Sequence, residues 1–494
     1  VNILAIDQST SATKAVLFTQ DGRMLERVSR EHKALYPRPG LVEHDAEELW
    51  QNTRSVLSAI LEKQRDSIAC LAITNQRETF VIFDRETGRP LHNAVVWQCR
   101  RGDQVCAELK KHDELVARKT GLRIDSYFSG SKITALLRER PDLAARLREG
   151  SAVVSTIDGY LLHRLTGGKV FATDPTNACR TLLYDIRTLK WDAELCELFE
   201  VPIRALPEVR DSTARFGVCE VDGFQGLPIA GVMGDSQAAL FAHRCFTPGQ
   251  AKVTLGTGSS ILLTLGEHLP DHGIRTIGWM HKGRPSYGLE GIISYSAATI
   301  AWLRDQLGLI ASFDEVEPAA RAVLDNGGVY LVPAFAGLSA PHWSPDARAA
   351  IVGLSGSSTK NHVVRAALES IAYQIKDALD SMKAQGGVDL GVIHADGGAT
   401  GNRFLMQFIA DIVGTPLAVS RVPDFSPLGA AMAGALGMGL YSSLDQLAAL
   451  PADDERFSPR MPRDAAERLH AGWQVAVQQV LAGVQLRADD LRTS

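Results

Sequence analysis

The sequence predicts an α/β protein made of two domains of similar plan. At 494 residues the chain exceeds what one hydrophobic core organises, so about two to three domains are expected. A pattern of apolar strand, small polar turn and apolar strand opens the chain and returns near its middle. Apolar runs of strand length alternate with segments at helical spacing, as layered α/β architectures require.

Taken in order, "ILAID" (3–7) and "AVLFT" (15–19) read as strands around the turn "QSTSATK", and "QDG" closes the next turn. The stretch "LAITNQRETFVIFD" (71–84) repeats the arrangement, with a polar crossing between two apolar strands. "LPIAGVMGD" is a further strand, and it delivers Asp235 to the start of a helix-like run. "CFTPGQ" (245–250) marks a boundary, which sets domains at 1–246 and 247–494. Beyond it, "AKVTLGTGSSILLTLGEHL" (251–269) is again strand, turn and strand, and "LGVIHADGGATGNRFLMQFIADIVGTPL" (390–417) is strand, glycine turn and helix. In the helix expected over 361–382, Val364, Leu368, Ile371, Ile375 and Leu379 fall on one face, which is therefore buried. The expected binding site is a deep cleft between the two domains.

Composition narrows the function classes. Hydrophobic content of 45% and charged content of 22% are ordinary for a soluble globular protein, and with a net charge of −5 and no long basic run a nucleic-acid partner is not expected. Cys70, Cys99, Cys106, Cys179, Cys196, Cys219 and Cys245 are scattered and never spaced C-x-x-C, which fits a reduced cytosol and provides neither a metal nor a disulfide framework. No apolar run approaches the roughly 20 residues of a membrane span. The N-terminal "VNILAIDQST" is too short and too soon acidic for a signal peptide. A cytoplasmic protein is expected.

There is no G-x-x-x-x-G-K-[ST] phosphate loop and no H-R-D or D-F-G of protein kinases. "GLSGS" (353–357) lacks the strand and helix of a nucleophile elbow. What remains is a set of turns rich in Gly, Ser and Thr. "DQSTSATK" offers hydroxyls, backbone amides and Lys14 to an anion; in "LGTGSS", Gly256 and Gly258 flank Thr257; "DGGATGN" (396–402) exposes bare backbone at a helix start. Taken singly, each is more often a plain hairpin or cap. Asp235 likewise reads either as a helix N-cap or as a base held where strand meets helix. Their order is more informative, since two phosphate turns, two carboxylates and an adenosine shelf are the parts of metal-assisted phosphoryl transfer.

With "YPRPGLVEHDAEELW", "ITNQRET", "NAVVWQCRR", "GLRIDSYFSGSK", "GDSQAALF", "VPAFAGLSAPHW" and "RAALESIAYQIKD" added to these turns, the chain resembles the FGGY carbohydrate kinases over nearly its whole length. Its motifs are closest to those of the glycerol kinases. The resemblance implies the two-domain actin-like ATPase (ribonuclease H-like) fold with a central cleft that closes over ATP, Mg²⁺ and a small polyol or sugar. Residue by residue, it makes Asp235 the base for the attacking hydroxyl, beside the metal, and Asp7 its partner in holding Mg²⁺. Arg77 and Glu78 would grip two neighbouring hydroxyls, Trp97 would cover the carbon skeleton and Tyr127 would add a contact. Gln8, Thr10, Ser11 and Lys14 match the first phosphate turn, with Lys14 in place of an arginine, and Gly256 and Thr257 match the second. Gly398, Ala399 and Asn402 match the adenosine shelf and Ile300 its wall. There, Ala297 and Ala301 replace a common glycine and glutamine.

Departures cluster at the substrate. Ser236 stands where glycerol kinases carry glutamine, and Ser260 where they carry a phenylalanine over the glycerol carbons. Either neighbours fill this space, or the pocket admits a four- or five-carbon polyol or ketose. The loop between "VCEVDG" and "GLPIAG" lacks both the Gly-Arg pattern that binds a sugar bisphosphate and the phosphorylatable histidine of some relatives. Ala135 replaces a usual tryptophan. The expected activity is ATP-dependent phosphorylation of a primary hydroxyl of glycerol or a slightly larger polyol or ketose. A pentulose kinase and a non-catalytic actin-like ATP-binding protein are the rivals, and assembly as a homodimer or homotetramer is compatible with such a chain.

Overall fold

A computed structural model of the chain describes residues 1–63, 68–422 and 424–493. The chain divides into two compact units. The first takes residues 1–246, 265–288 and 423–451, and the second takes 247–264, 289–422 and 452–494.

The first unit is organised by strands β1 (Asn2–Gln8), β2 (Ala12–Thr19), β3 (Met24–Glu31), β4 (Ile68–Asn75), β6 (Arg215–Val218) and β7 (Pro228–Gly234), in the sheet order β6–β7–β4–β1–β2–β3. β7, β4 and β1 run parallel in the middle, and their near-continuous apolar sequences are buried almost throughout. Leu4, Ile6, Leu17, Leu71 and Ile73 share one core with Leu57 and Ile60 from the helix Ala46–Lys63. The helix Phe425–Gly437 packs on β7, β4 and β1 although it comes from far down the chain. Its small residues allow a close approach. A Cβ on Gly429 would lie 1.7 Å from the Ala238 carbonyl oxygen, and one on Gly434 would lie 2.5 Å from that of Ala230. Gly231 bulges β7 at a φ of +81°, where its own missing Cβ faces Gly434.

One sequence expectation changes here. The crossing after β4 does not make a second hairpin like that of β1 and β2. β5 (Phe80–Asp84) leaves the six-stranded sheet and joins a separate four-stranded one, pairing with Ala152–Thr156 around a second core that includes Phe80, Ile82 and Val154. The redirection occurs at Glu78, whose φ is +61°.

The second unit carries β8 (Ala251–Leu255), β9 (Ser259–Gly266), β10 (Ile393–Asp396), β11 (Leu417–Ser420) and β12 (Asp454–Phe457), in the order β9–β8–β10–β11–β12. The expected amphipathic helix extends over Lys360–Gly386, and Val364, Leu368, Ile371, Ile375 and Leu379 are all buried. Asp377 on this helix accepts hydrogen bonds from His470 and Trp473, both at 2.7 Å, which pins the helix beginning at Arg463.

Gly429→Ala should destabilise the first unit by about 1–3 kcal/mol through overpacking. Gly356→Ala, where an added Cβ meets nothing within 4 Å, should be close to neutral. Urea titrations of both variants check the contrast.

Candidate active site

β1, β4 and β7 end at one level. Gln8 and Gly234 are both register partners of Asn75, so Asp7, the 76–79 turn and Asp235 emerge side by side from three parallel strands. The carboxyl ends of parallel strands are where open α/β sheets bind ligands.

Asp7 is buried and pairs with Lys14, its register partner on β2, at 3.0 Å. The same Lys14 ammonium lies 3.0 Å from Asp424, whose other oxygen takes the Arg27 guanidinium at 2.8 Å. Burial pushes the Asp7 carboxyl up to about 6 against the pull of Lys14, and the charges of Asp235 and Asp424 add to the rise. Burial opposes the Lys14 charge, yet Asp7 and Asp424 hold its pKa above the ordinary lysine value. Asp7 Oδ1 is buried without a hydrogen-bond partner.

Asp235 is the first residue of the helix Asp235–Ala242, and Gly234 occupies the cap position. The N-cap reading of Asp235 is therefore corrected: its Oδ1 accepts the adjacent Ser236 amide at 2.6 Å and lies 3.3 Å from Arg77 Nε. Its Oδ2 makes no hydrogen bond among the described residues. Arg77 also donates to Gln237 at 3.3 Å, and its chain lies over Gly234, where a Cβ would stand 2.7 Å from Arg77 Cγ. Glycine at 234 thus makes room for the arginine.

Glu78 is buried, and its Oε1 accepts from Arg180 Nε at 2.6 Å. The Arg180 guanidinium in turn sits 5.1 Å above the Phe128 ring. Trp97 and Tyr127 form a half-buried edge-to-face pair with ring centres 5.5 Å apart. Trp97 Nε1 donates to the Thr10 hydroxyl at 3.0 Å, which ties the first hydroxyl turn to this aromatic wall. Beneath the wall, the buried Lys132 ammonium donates to the carbonyls of Trp97 (3.1 Å), Ser126 (3.0 Å) and Tyr127 (2.6 Å). Gln8 is buried against Gln76 and Ser11 is exposed.

The second unit gathers its own set. The Gly256 and Thr257 carbonyls accept the amides of Ala297 and Ala298, both at 3.1 Å, at the start of the helix Ala297–Asp305. The amide and hydroxyl of Thr257 make no hydrogen bond among the described residues. Gly397, at φ +99°, lies against Leu255, where a Cβ would come 2.4 Å from the carbonyl oxygen; only glycine fits this approach. Gly398 and Ala399 form the following short turn, and Asn402 caps the helix Arg403–Val413 through Leu405 at 2.9 Å. Ile300 is buried, while Ala297 and Ala301 are half-buried. Ser260 is half-buried on β9, and its hydroxyl is enclosed without a partner.

Three residues of this site were not singled out from sequence. Asp424 lies 410 residues from Lys14, and no local pattern connects them. Arg180 and Lys132 had a weak signal, since each is a lone cation in a segment of small and apolar residues ("TNACRTLLY", "SGSKITALL"). Among the described residues no group of three or more His, Cys, Asp or Glu side chains could hold a metal.

The model of the FGGY family of carbohydrate kinases, N-terminal domain, matches residues 2–242, and that of its C-terminal domain matches 251–438. The chain is 45% identical to glycerol kinase 1 of Thermotoga maritima over 489 residues, covering 97% of this chain and 99% of the relative. It superposes on the crystal structure of Plasmodium falciparum glycerol kinase with ADP at a TM-score of 0.93 and 35% identity, covering 97% and 98% of the two chains. A ligand-bound xylulose kinase from Lactobacillus acidophilus shares the fold at a TM-score of 0.87 and 20% identity, with 97% and 98% covered. Both halves of the chain and its full-length relatives lead to one conclusion: it belongs to the FGGY family of carbohydrate kinases and has the two-domain α/β fold of that family.

Proposed function

We propose that the protein transfers the γ-phosphoryl group of ATP to a primary hydroxyl of glycerol or of a slightly larger polyol or ketose. The observation that carries this reading is the convergence of Asp7, Arg77, Glu78 and Asp235 at the ends of neighbouring parallel strands. Phosphoryl transfer needs in-line positioning and charge neutralisation more than covalent help from the protein. The two carboxylates suit different tasks. Asp235 is 38% exposed and keeps Oδ2 uncommitted, so it can orient the attacking hydroxyl and accept its proton. Asp7 is buried and paired, with one orphaned oxygen, which suits a metal-side role. A pair of carboxylates completed by phosphates and water is the usual protein share of a Mg²⁺ site, so Asp7 and Asp235 fit that ion. Once bound, Mg²⁺ would offset the charge of the phosphates.

Arg77 donates to one substrate hydroxyl and Glu78 accepts from its neighbour, while Trp97 and Tyr127 cover the carbons. Thr10, Ser11 and Lys14 match the family's first phosphate turn and Gly256 and Thr257 its second; the unengaged amide and hydroxyl of Thr257 are the kind of donors phosphate recruits. Gly398 and Ala399 offer a flat shelf for adenosine, with the Asn402 side-chain amide beside it. The extension beyond glycerol rests on Ser236 and Ser260. The enclosed, unpartnered Ser260 hydroxyl can receive a further ligand hydroxyl or a water.

A coupled ATP-consumption assay with glycerol, erythritol, threitol, erythrulose, ribulose, xylulose and xylitol tests this reading. ATP turnover without a polyol-dependent phosphorylated product would overturn it. Asp235→Asn should lower kcat by about 10²–10⁴-fold while leaving ATP affinity nearly unchanged, measured by steady-state kinetics and nucleotide titration. Burial pulls the Lys132 ammonium down to about 8. Above that pH the neutral amine has two N–H donors for three carbonyls, so the wall of Trp97 and Tyr127 loosens. The polyol KM should therefore rise about 3- to 10-fold as pH passes upward through this value, with the ATP KM steady.

A further inference from the structure

The residues assigned so far sit on separate turns, and the strand ladders end before them: the last pair joining β7 to β4 is Gly234 with Asn75, one residue short of Asp235 and two short of Arg77. β7 also slips register between Ile229 and Val232. Beyond the sheet, the gripping turn reaches the catalytic turn directly only through Arg77, which meets Asp235 and Gln237 at 3.3 Å among the described contacts. One buried stretch, residues 174–180, touches both.

Asp174 is fully buried and caps the single helical turn Pro175–Ala178. It accepts from the Thr176 hydroxyl at 2.8 Å, the Asn177 amide at 3.0 Å and the Ser212 hydroxyl at 2.7 Å. Held this way, the Thr176 hydroxyl accepts the Gly234 amide at 2.8 Å, immediately before Asp235. The Asn177 side chain exchanges two hydrogen bonds with Asn75, at 2.9 and 3.1 Å, immediately before the gripping turn. Three residues on, Arg180 holds the Glu78 carboxylate at 2.6 Å. Asp174, Thr176 and Asn177 have no outlet to solvent, and the helix cap alone would not need reciprocal amides or a hydroxyl aimed at Gly234.

We propose that residues 174–180 form a clamp that sets the distance between the base and the substrate grip, with Thr176, Asn177 and Arg180 as positioning residues that do not touch the reacting atoms. The inference rests on the kinase reading of Asp235 and Glu78. Its physical basis is the steep dependence of transfer on alignment, since a displacement of about 1 Å can cost about 10²-fold in rate. Thr176 acts through the turn that carries Asp235 and so governs kcat. Arg180 acts through Glu78 and so governs polyol binding.

Thr176→Val keeps the side-chain shape and removes the hydroxyl, and Thr176→Ser restores the hydroxyl. Thr176→Val should lower kcat by about tenfold or more with both KM values within about twofold, and Thr176→Ser should recover most of that loss. Arg180→Lys should raise the polyol KM about tenfold or more while the ATP KM is unchanged. A Thr176→Val protein with wild-type kcat, equal losses in the valine and serine variants, or a loss confined to the ATP KM would overturn the proposal. If the valine protein does not accumulate, the Arg180→Lys arm decides, and an unchanged polyol KM overturns the clamp. Asp235→Asn assayed alongside separates the two levels: full activity there defeats the base assignment on which the inference rests, whereas an inactive Asp235→Asn beside a fully active Thr176→Val defeats only the clamp.

Discussion

The site depends on a buried ion pair placed at a strained point of the backbone. Glu78 and Arg180 expose 2% and 0% of their side chains and meet at 2.6 Å. Burying either charge alone would cost several kcal/mol, so each is stable there only with the other. Glu78 also holds a left-handed backbone conformation, at φ +61°, of the kind that costs a non-glycine residue about 1–3 kcal/mol. Its carbonyl is held by the Ser129 hydroxyl at 2.7 Å and its carboxylate by Arg180, so the surroundings over-determine the strained turn. The turn does two things at once. It redirects the chain from one sheet into another, and it sends consecutive side chains to different partners, Arg77 to Asp235 and Gln237 and Glu78 to Arg180.

Two carboxylates at the ends of parallel strands of one sheet sit in contrasting surroundings. Asp7 is enclosed and flanked by Lys14, with Asp424 and Arg27 behind it, so its charge belongs to a network. Asp235 is more open and holds only a short-range amide and an arginine on one oxygen. Burial and neighbours thus give two identical side chains different surroundings, on which their proposed roles rest.

Much of this was legible in the sequence because the signals are local. Strand–turn–strand openings, the helical period from Val364 to Leu379 and the glycine turns are written within a few residues of one another, and the structure places each of them in the elements expected. What stayed hidden depends on contacts distant in the chain. Asp424 meets Lys14 across 410 residues, and the helix Phe425–Gly437 completes the first unit's sheet packing from the far end of the sequence. The departure of β5 to another sheet was hidden for a different reason: alternation of apolar residues says that Phe80–Asp84 is a strand, not which partner it takes. Of the two readings open for Asp235, the helix cap gives way because Gly234 takes that position, where the missing Cβ leaves room for Arg77. Lys132, Arg180 and Asp174 carry polar side chains inside apolar surroundings, and their roles follow only from which carbonyls, amides and carboxylates the fold brings to them.

The central claim is that Arg77 and Glu78 hold two neighbouring hydroxyls while Asp235 orients a terminal one. The most direct measurement is kcat/KM for glycerol against 1,3-propanediol, which keeps both primary hydroxyls and lacks only the middle one. A site built around a buried carboxylate and guanidinium should reject the diol by at least about 10²-fold, because the missing hydroxyl leaves a hydrogen-bonding position of Arg77 and Glu78 unfilled. Comparable kcat/KM values for the two compounds would contradict the account.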